Sequence, residues 1–303
     1  MVMMIKSDLT DIPFFEDYLR NTRRLANSTI YVYMQTLQTF LSTNPDIDQL
    51  EEYNEFLIRS CIKKRSTSQY STLKIFIEWK IKDAATKRRL VEGLIKPPIR
   101  KDIKKERRHL SENQLFDVIN GLESKRHRII ALIQCLTGVR AGDVLRLKRG
   151  SILAEEYEKK PVLRLNIIGK GRKLNVIFIH DEIGQQVIMD YITSEFTHEK
   201  YYFLTEIKPR PNRTFHFGDF ATIRKNYERY LNDLKIALQR AGVNKDDFAT
   251  HDFRRCFARR VWEKYKDIHI LQNILNHARA EVTLRYLDQS GLKNIDYHYE
   301  MQK

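Results

Sequence analysis

The stretch HDFRRCFARRVWEKYKDIHILQNILNHARAEVTLRY, His251 to Tyr286, decides how the rest of this chain is read. It opens with His251 and Arg254, one helical turn apart and so on one face. An amphipathic segment then leads to Asn276 and His277, and Tyr286 follows nine residues beyond that histidine. Two imidazoles, a guanidinium and a phenol are the parts needed to attack a phosphodiester without a metal. The expectation is that Tyr286 is a nucleophile and that the remaining sequence supplies further cations and a grip on DNA.

The whole composition suits that expectation. The chain has 303 residues, enough for a sizeable core and about two domains. Hydrophobic residues make up 42%, which places it among globular proteins. Lys and Arg number 54 against 39 Asp and Glu, a formal charge of +15, so a polyanion is the expected partner: nucleic acid first, an anionic membrane surface second. Cys61, Cys135 and Cys256 are scattered singly; without a Cys-x-x-Cys pair no structural zinc site is expected, and the odd number fits a reducing cytoplasm. The N-terminal MVMMIKSDLTD does not resemble a signal peptide. The most apolar run, Ile129 to Val139, is too short to span a bilayer and is interrupted by Gln134 and Thr137.

Upstream, residues 11–94 read as helical. Ile30, Met34, Leu37 and Leu41 form one stripe, entered through Asn27 or Ser28 as a cap. Leu50 to Ile62 and Gln69 to Ile81 give two more amphipathic helices, and a shorter one starts from Asp83. Basic clusters, including Lys63, Lys64 and Arg65, lie on and between them. The expectation is a bundle of four or five helices with a basic face, although a solvated face explains any single cluster equally well. IKPPIRKDIKKERRH, residues 95–109, then marks the domain boundary: Pro97-Pro98 stops helix and seven of its residues are Lys or Arg. Arg100, Lys101, Lys104 and Lys105 are candidates for touching phosphates as this linker passes a duplex; an ordinary solvated linker is the plainer reading.

In residues 110–303, Ser111 and Gln114 match a capping box. A buried helix spans Arg128 to Thr137 and breaks at Gly138. Val162 to Ile168 and Leu174 to Ile179 are β-rich, with Gly169-Lys170-Gly171-Arg172-Lys173 as a hairpin tip. Helix resumes from Asp181 to Ser194. A long helix then shows Phe220, Ile223, Tyr227, Leu231, Leu234 and Leu238 on one face and ends at Gly242. The fold class is therefore mainly α with a small antiparallel β-sheet.

Five motifs, in order, make the chain resemble the tyrosine recombinases of the phage-integrase family over nearly its whole length. TGVRAGDVLRL, Thr137 to Leu147, is similar to the family's first box, with Arg140 and Asp143 in place. Lys170 stands in the hairpin where the family keeps its catalytic lysine. His251-x-x-Arg254, the Leu-x-His ending at His277, and Tyr286 complete the set. Asn276 replaces the usual Gly, and Arg255 stands where His is common; these departures lean the reading towards an element-borne integrase. The resemblance implies an N-terminal core-binding domain (1–94), an interdomain linker (95–109) and a catalytic domain with a C-terminal tail (110–303).

It also implies roles. Arg140 and Arg254 would fork onto the non-bridging oxygens of the scissile phosphate, which Lys cannot copy. His251 would accept or relay the tyrosine proton, needed because a phenol ordinarily titrates near about 10. His277 would donate to the phosphate and Lys170 would protonate the departing 5′-oxygen. The product would be a 3′-phosphotyrosyl link. No metal or cofactor is called for.

Each residue also has a plainer role. Arg140 caps a helix carboxyl end. Asp143 buttresses an arginine or lies on the surface. Lys170 is a solvated charge or a phosphate contact, with Arg172 and Lys173 beside it as further DNA-binding candidates. His251 is an N-cap or core histidine, His277 a helix-terminal cation, and Tyr286 a core tyrosine. Tyr297 and Tyr299 are rival nucleophiles without the spacing from His277.

The partners implied are double-stranded DNA, three further copies of the chain in a tetramer on two DNA sites, and an accessory directionality factor. A membrane is not among them. The expected location is the cytoplasm, on the nucleoid or in a host cell. The alternatives are a type IB topoisomerase, a DNA-binding relic without activity, and an RNA-binding protein with accidental matches.

Overall fold

The computed structural model describes residues 11–62, 66–96, 110–169, 174–194, 200–204, 219–277 and 279–288; the side chains of 61, 62, 66, 219 and 285–288 fall outside that description. The chain divides into two compact units, residues 1–103 and 104–303.

The first unit holds α1 (Asp11–Asp17), which continues as a π-helical turn (Tyr18–Thr22), then α2 (Asn27–Leu41), α3 (Leu50–Ile62), α4 (Ser66–Lys80) and α5 (Ala84–Gly93). The expected stripe of α2 is buried at Ile30, Met34, Leu37 and Leu41. Aromatic rings fill the centre: Phe15 meets Phe76 edge-on at 5.6 Å, and Phe40 stacks on Tyr53 at 4.9 Å. The Asp83 carboxylate accepts from Thr86 N–H, capping α5. The expected cap of α2 differs. Ala26 holds the N-cap position, and the Asn27 side chain instead accepts from Arg20 at 2.9 Å. Lys63, Lys64 and Arg65, and Arg100, Lys101, Lys104 and Lys105, lie outside the described residues.

The second unit opens with α6 (Glu112–Gly121), whose Ser111–Gln114 capping box is formed in both directions, followed by α7 (Lys125–Thr137) and the short α8 (Ala141–Val144). A three-stranded antiparallel sheet comes next, in the order β1 (Ile152–Tyr157), β2 (Lys160–Ile168), β3 (Leu174–Ile179). Leu165 lies opposite Ile152 on one side and Ile177 on the other. After it come α9 (Glu182–Ser194), α10 (Asp219–Arg240), α11 (Thr250–Tyr265), α12 (Ile268–Leu275) and α13 (Ala280–Asp288).

The buried α7 is the centre of this unit. It packs against α6, α8, α9, α10, α11 and β3, and Ile130, Ile133, Leu165, Leu234 and Phe253 meet in the core. The face of α10 is rotated slightly from expectation: Tyr230 is fully buried, while Leu231 is only partly so. Among the described residues, no helix is long and apolar enough to cross a membrane.

Candidate active site

The site grows from three chain reversals around α7 and α11. α7 ends because Gly138 adopts φ +68°. A Cβ there would also sit 2.4 Å from the Phe257 ring of α11, so glycine alone admits both the turn and the close helix approach. The reversal puts Arg140 at the N-cap position of α8, with its side chain exposed. The second reversal, Lys266-Asp267, ends α11 with a left-handed residue and starts α12 with a carboxylate accepting from His269 and Ile270 N–H. The third ends α12 at Asn276, φ +49°, which suits an asparagine's tolerance of the left-handed region. Gln272 then holds the turn, its carbonyl accepting from His277 N–H and its amide donating to the His277 carbonyl, each at 3.0 Å.

The first and third reversals open onto one cleft of about 710 Å³, lined by Arg140, Asp143, Gly169, Asn175, Arg254 and His277 among others. Arg254 is the strut inside it. Its guanidinium is buried, and donates to the Gly138 carbonyl at 2.6 Å, to the Leu275 carbonyl at 2.5 Å and to His277 Nε2 at 3.1 Å. Gly138 lies 116 residues before it, so one side chain ties the first-box corner to the turn before His277.

A guanidinium only donates, so His277 Nε2 accepts and its proton rests on Nδ1, 2.9 Å from the buried Thr283 Oγ1 of α13. Burial, then Arg254 and Arg140, push the His277 pKa down to about 4. In this geometry His277 is a neutral acceptor; donation to a phosphate from Nε2 requires Arg254 to turn away from it and the ring proton to move from Nδ1 to Nε2.

His251 does not line the cleft itself. It is exposed on α11, one turn before Arg254. The protein packed around part of its ring, then the guanidiniums of Arg140, Arg254 and Arg255, lower its pKa, against the opposing charge of Asp252. Asp143 does buttress an arginine, but the partner is Arg146, at 2.9 Å. Lys170, Arg172 and Lys173 lie outside the described residues; Gly169 and Leu174, which flank that tip, both line the cleft. Tyr286 is placed by its backbone on α13, one turn beyond Val282 and Thr283, and its side chain is outside the description.

Four residues with a bearing on the site were not expected from sequence: Thr283 on His277, Asn175 accepting from the Asn276 amide, and Gln134 with Tyr230 behind Arg140. Only Gln134 had left a sign, as a lone amide in the most apolar run of the chain. Among the described residues, no group of three or more His, Cys, Asp or Glu side chains is placed to hold a metal ion.

Comparison with known proteins gives a consistent result. The profile of the phage integrase family matches residues 108–291. The tyrosine recombinase XerD of Rickettsia bellii is 24% identical over 315 aligned positions, covering 95% of this chain and 98% of that protein. The tyrosine recombinase of Pseudothermotoga lettingae is 24% identical, covering 90% of this chain and 91% of its own. Among solved structures, a lambda integrase dimer bound to a COC′ core site superposes with a TM-score of 0.62 at 16% identity, covering 94% of this chain and 79% of that one. At that identity the superposition establishes the fold.

Proposed function

The chain belongs to the phage integrase family and is a tyrosine-type site-specific DNA recombinase, and from that premise we propose how its residues divide the reaction. Tyr286 Oη attacks the scissile phosphorus; the Oη–P bond forms as the P–O5′ bond breaks, leaving a 3′-phosphotyrosyl link and a 5′-hydroxyl. The phenol proton passes to His251, whose lowered pKa keeps the imidazole neutral and able to accept it near neutral pH. Lys170 delivers a proton to the leaving O5′. Arg140 and Arg254 hold the non-bridging oxygens, where removal of one comparable donor costs about 3–4 kcal/mol of transition-state stabilisation. His277 joins them once the phosphate draws Arg254 off its Nε2 and the ring proton moves from Nδ1 to Nε2, with Thr283 Oγ1 then donating to Nδ1. A 5′-hydroxyl from another strand then reverses the step, so the energy of the broken bond is kept.

The observation that carries this reading is convergence. Arg140 and His277 reach one cleft from two separate reversals and Arg254 from near the start of α11, and Tyr286 sits on the helix that supplies Thr283 to His277. In the same reading residues 1–94 form the core-binding domain, residues 95–109 pass around the duplex, and four protomers act on two DNA sites through a Holliday junction. The setting is the cytoplasm, the role that of an element-borne integrase, and an accessory directionality factor is a proposed partner. The relatives described above are recombinases, so the topoisomerase alternative is not favoured.

Nicked suicide duplexes drawn from the DNA around the coding sequence provide the test. The wild-type chain is expected to form a covalent adduct that disappears entirely in Tyr286→Phe. An adduct persisting in that variant sinks the assignment of the nucleophile.

A further inference from the structure

Behind the cleft, on the side of α7 that faces α10 and α11, Gln134 is fully buried. Its Nε2 donates to the carbonyl of Val139 at 3.3 Å and to the carbonyl of Thr250 at 3.1 Å. Its Oε1 accepts from Tyr230 Oη of α10, also fully buried, at 3.0 Å. The two carbonyls belong to the residues directly before Arg140 and His251. An amide has two N–H groups and an acceptor oxygen, and here each has a partner on a different segment.

Other buried polar groups nearby behave differently. Thr137 donates to Ile133 one turn back and accepts from Val139 N–H two residues on, and Asn226 donates to Thr222 one turn back. Gln134 instead reaches across 116 residues of sequence to Thr250. Arg254 makes a second tie between the same two segments through the Gly138 carbonyl.

We propose that Gln134, oriented by Tyr230, is a positioning residue that sets the spacing between Arg140 and the His251–Arg254 turn. This rests on the roles given above to Arg140 and His251. Direct contact with the phosphate is not part of it. The amide acts by holding two backbone segments in register from behind, where an apolar side chain of equal volume fills the space but leaves the carbonyls unheld. Glutamate fails for the same reason, having no N–H to give.

The test uses the full chain with Gln134→Met, which keeps volume and removes both donors, and Tyr230→Phe, which removes only the hydroxyl that orients the amide. Three quantities are read: single-turnover cleavage of the nicked duplexes, affinity for the same duplexes left intact, and the imidazole NMR titration of His251 without DNA. Gln134→Met is expected to slow cleavage by about 10- to 100-fold, the scale of a small misplacement of reacting groups, with DNA affinity unchanged. Tyr230→Phe is expected to give a smaller loss, and the double variant to match Gln134→Met alone, because the hydroxyl acts through the amide. The His251 midpoint should rise in Gln134→Met as Arg140 drifts from a ring also faced by Arg254, Arg255 and Asp252.

Wild-type cleavage together with an unmoved His251 titration in Gln134→Met overturns the proposal, as do fully additive losses in the double variant. If Gln134→Met does not fold, Tyr230→Phe decides: slowed cleavage at full affinity supports the proposal, and wild-type cleavage overturns it. If the wild-type chain forms no adduct at all, the reading of Tyr286 fails, and the His251 titration alone still decides the brace.

Discussion

The two units solve the problem of packing helices in different ways. In the first, the buried polar side chains among the described residues are Thr36 and Thr72, and Thr72 is satisfied inside its own helix by Ser68. The centre is otherwise apolar and aromatic, Phe15, Phe40, Tyr53 and Phe76 meeting ring to ring. In the second, Gln134, Thr250, Asp252, Arg254, His277 and Thr283 are buried together around the ends of α7, α11 and α12. Apolar contact is non-directional and tolerates small shifts. Hydrogen bonds fix distance and angle, so a buried polar joint holds reacting groups where packing alone leaves latitude. The cost is vulnerability: one missing partner leaves several groups stranded.

Arg254 is where the difference breaks most sharply. Arg254→Met strands the Gly138 and Leu275 carbonyls and frees the His277 ring, so stability should fall by about 3–5 kcal/mol and cleavage should be lost. Arg140→Met changes an exposed side chain of the same type. It should abolish most cleavage while moving stability by no more than about 0.5 kcal/mol. Chemical denaturation beside the adduct assay reads both; equal losses of stability would erase the distinction between an arginine that also braces the fold and one that meets only the phosphate.

Phe76→Ala tests the apolar unit and should cost about 3–4 kcal/mol. The chain has two tryptophans, Trp79 in the first unit and Trp262 in the second, so 5-fluorotryptophan gives one fluorine signal for each. The Trp79 signal should melt early while that of Trp262 stays native. Simultaneous melting would show that the units do not unfold separately.

The smallest expected effect is in pH. His277 in the folded chain titrates near about 4, below its unfolded value of about 6.5, so the unfolded state binds the proton first on acidification. Stability from this group is therefore complete above about pH 6.5, declines as pH falls towards 4 and is gone below it, at most about 3 kcal/mol in all. In Thr283→Val, with no acceptor for Nδ1–H, that acid-side slope should change, and in Arg140→Met, which removes one of the charges that lower the His277 pKa, it should become shallower without changing sign. An identical profile in Thr283→Val would remove the hydroxyl from the account.

Much of this was legible in residue order. The stripe of α2, the capping box at Ser111, the stop at Gly138 and the two strands on either side of 169–173 all follow from period and turn chemistry, and all formed. β1 was not anticipated. It is an edge strand with Ile152 buried and Glu155 and Glu156 on it, and it joins β2 through Glu158 and Lys159, both at positive φ. A two-residue turn of that kind normally advertises itself with Asn-Gly; Glu-Lys gives no such signal, and only pairing with β2 makes the strand. The cap of α2, expected at Asn27 or Ser28, falls at Ala26, and the Asn27 side chain accepts from Arg20 instead.

The site divides along the same line. Which residues carry charge, which can attack, and that Asn276 tolerates a left-handed turn were all properties of single residues and their spacing, and these a linear chain displays. That Arg254 spends its donors on two carbonyls, that His277 is a neutral acceptor protonated at Nδ1, that Asp143 pairs with Arg146, and that Gln134 stands behind both Arg140 and His251 were decided only by folding. Each depends on a distance between segments remote in sequence. Hydrogen bonds and desolvation change steeply over an ångström, and spacing along a chain does not encode an ångström across a core.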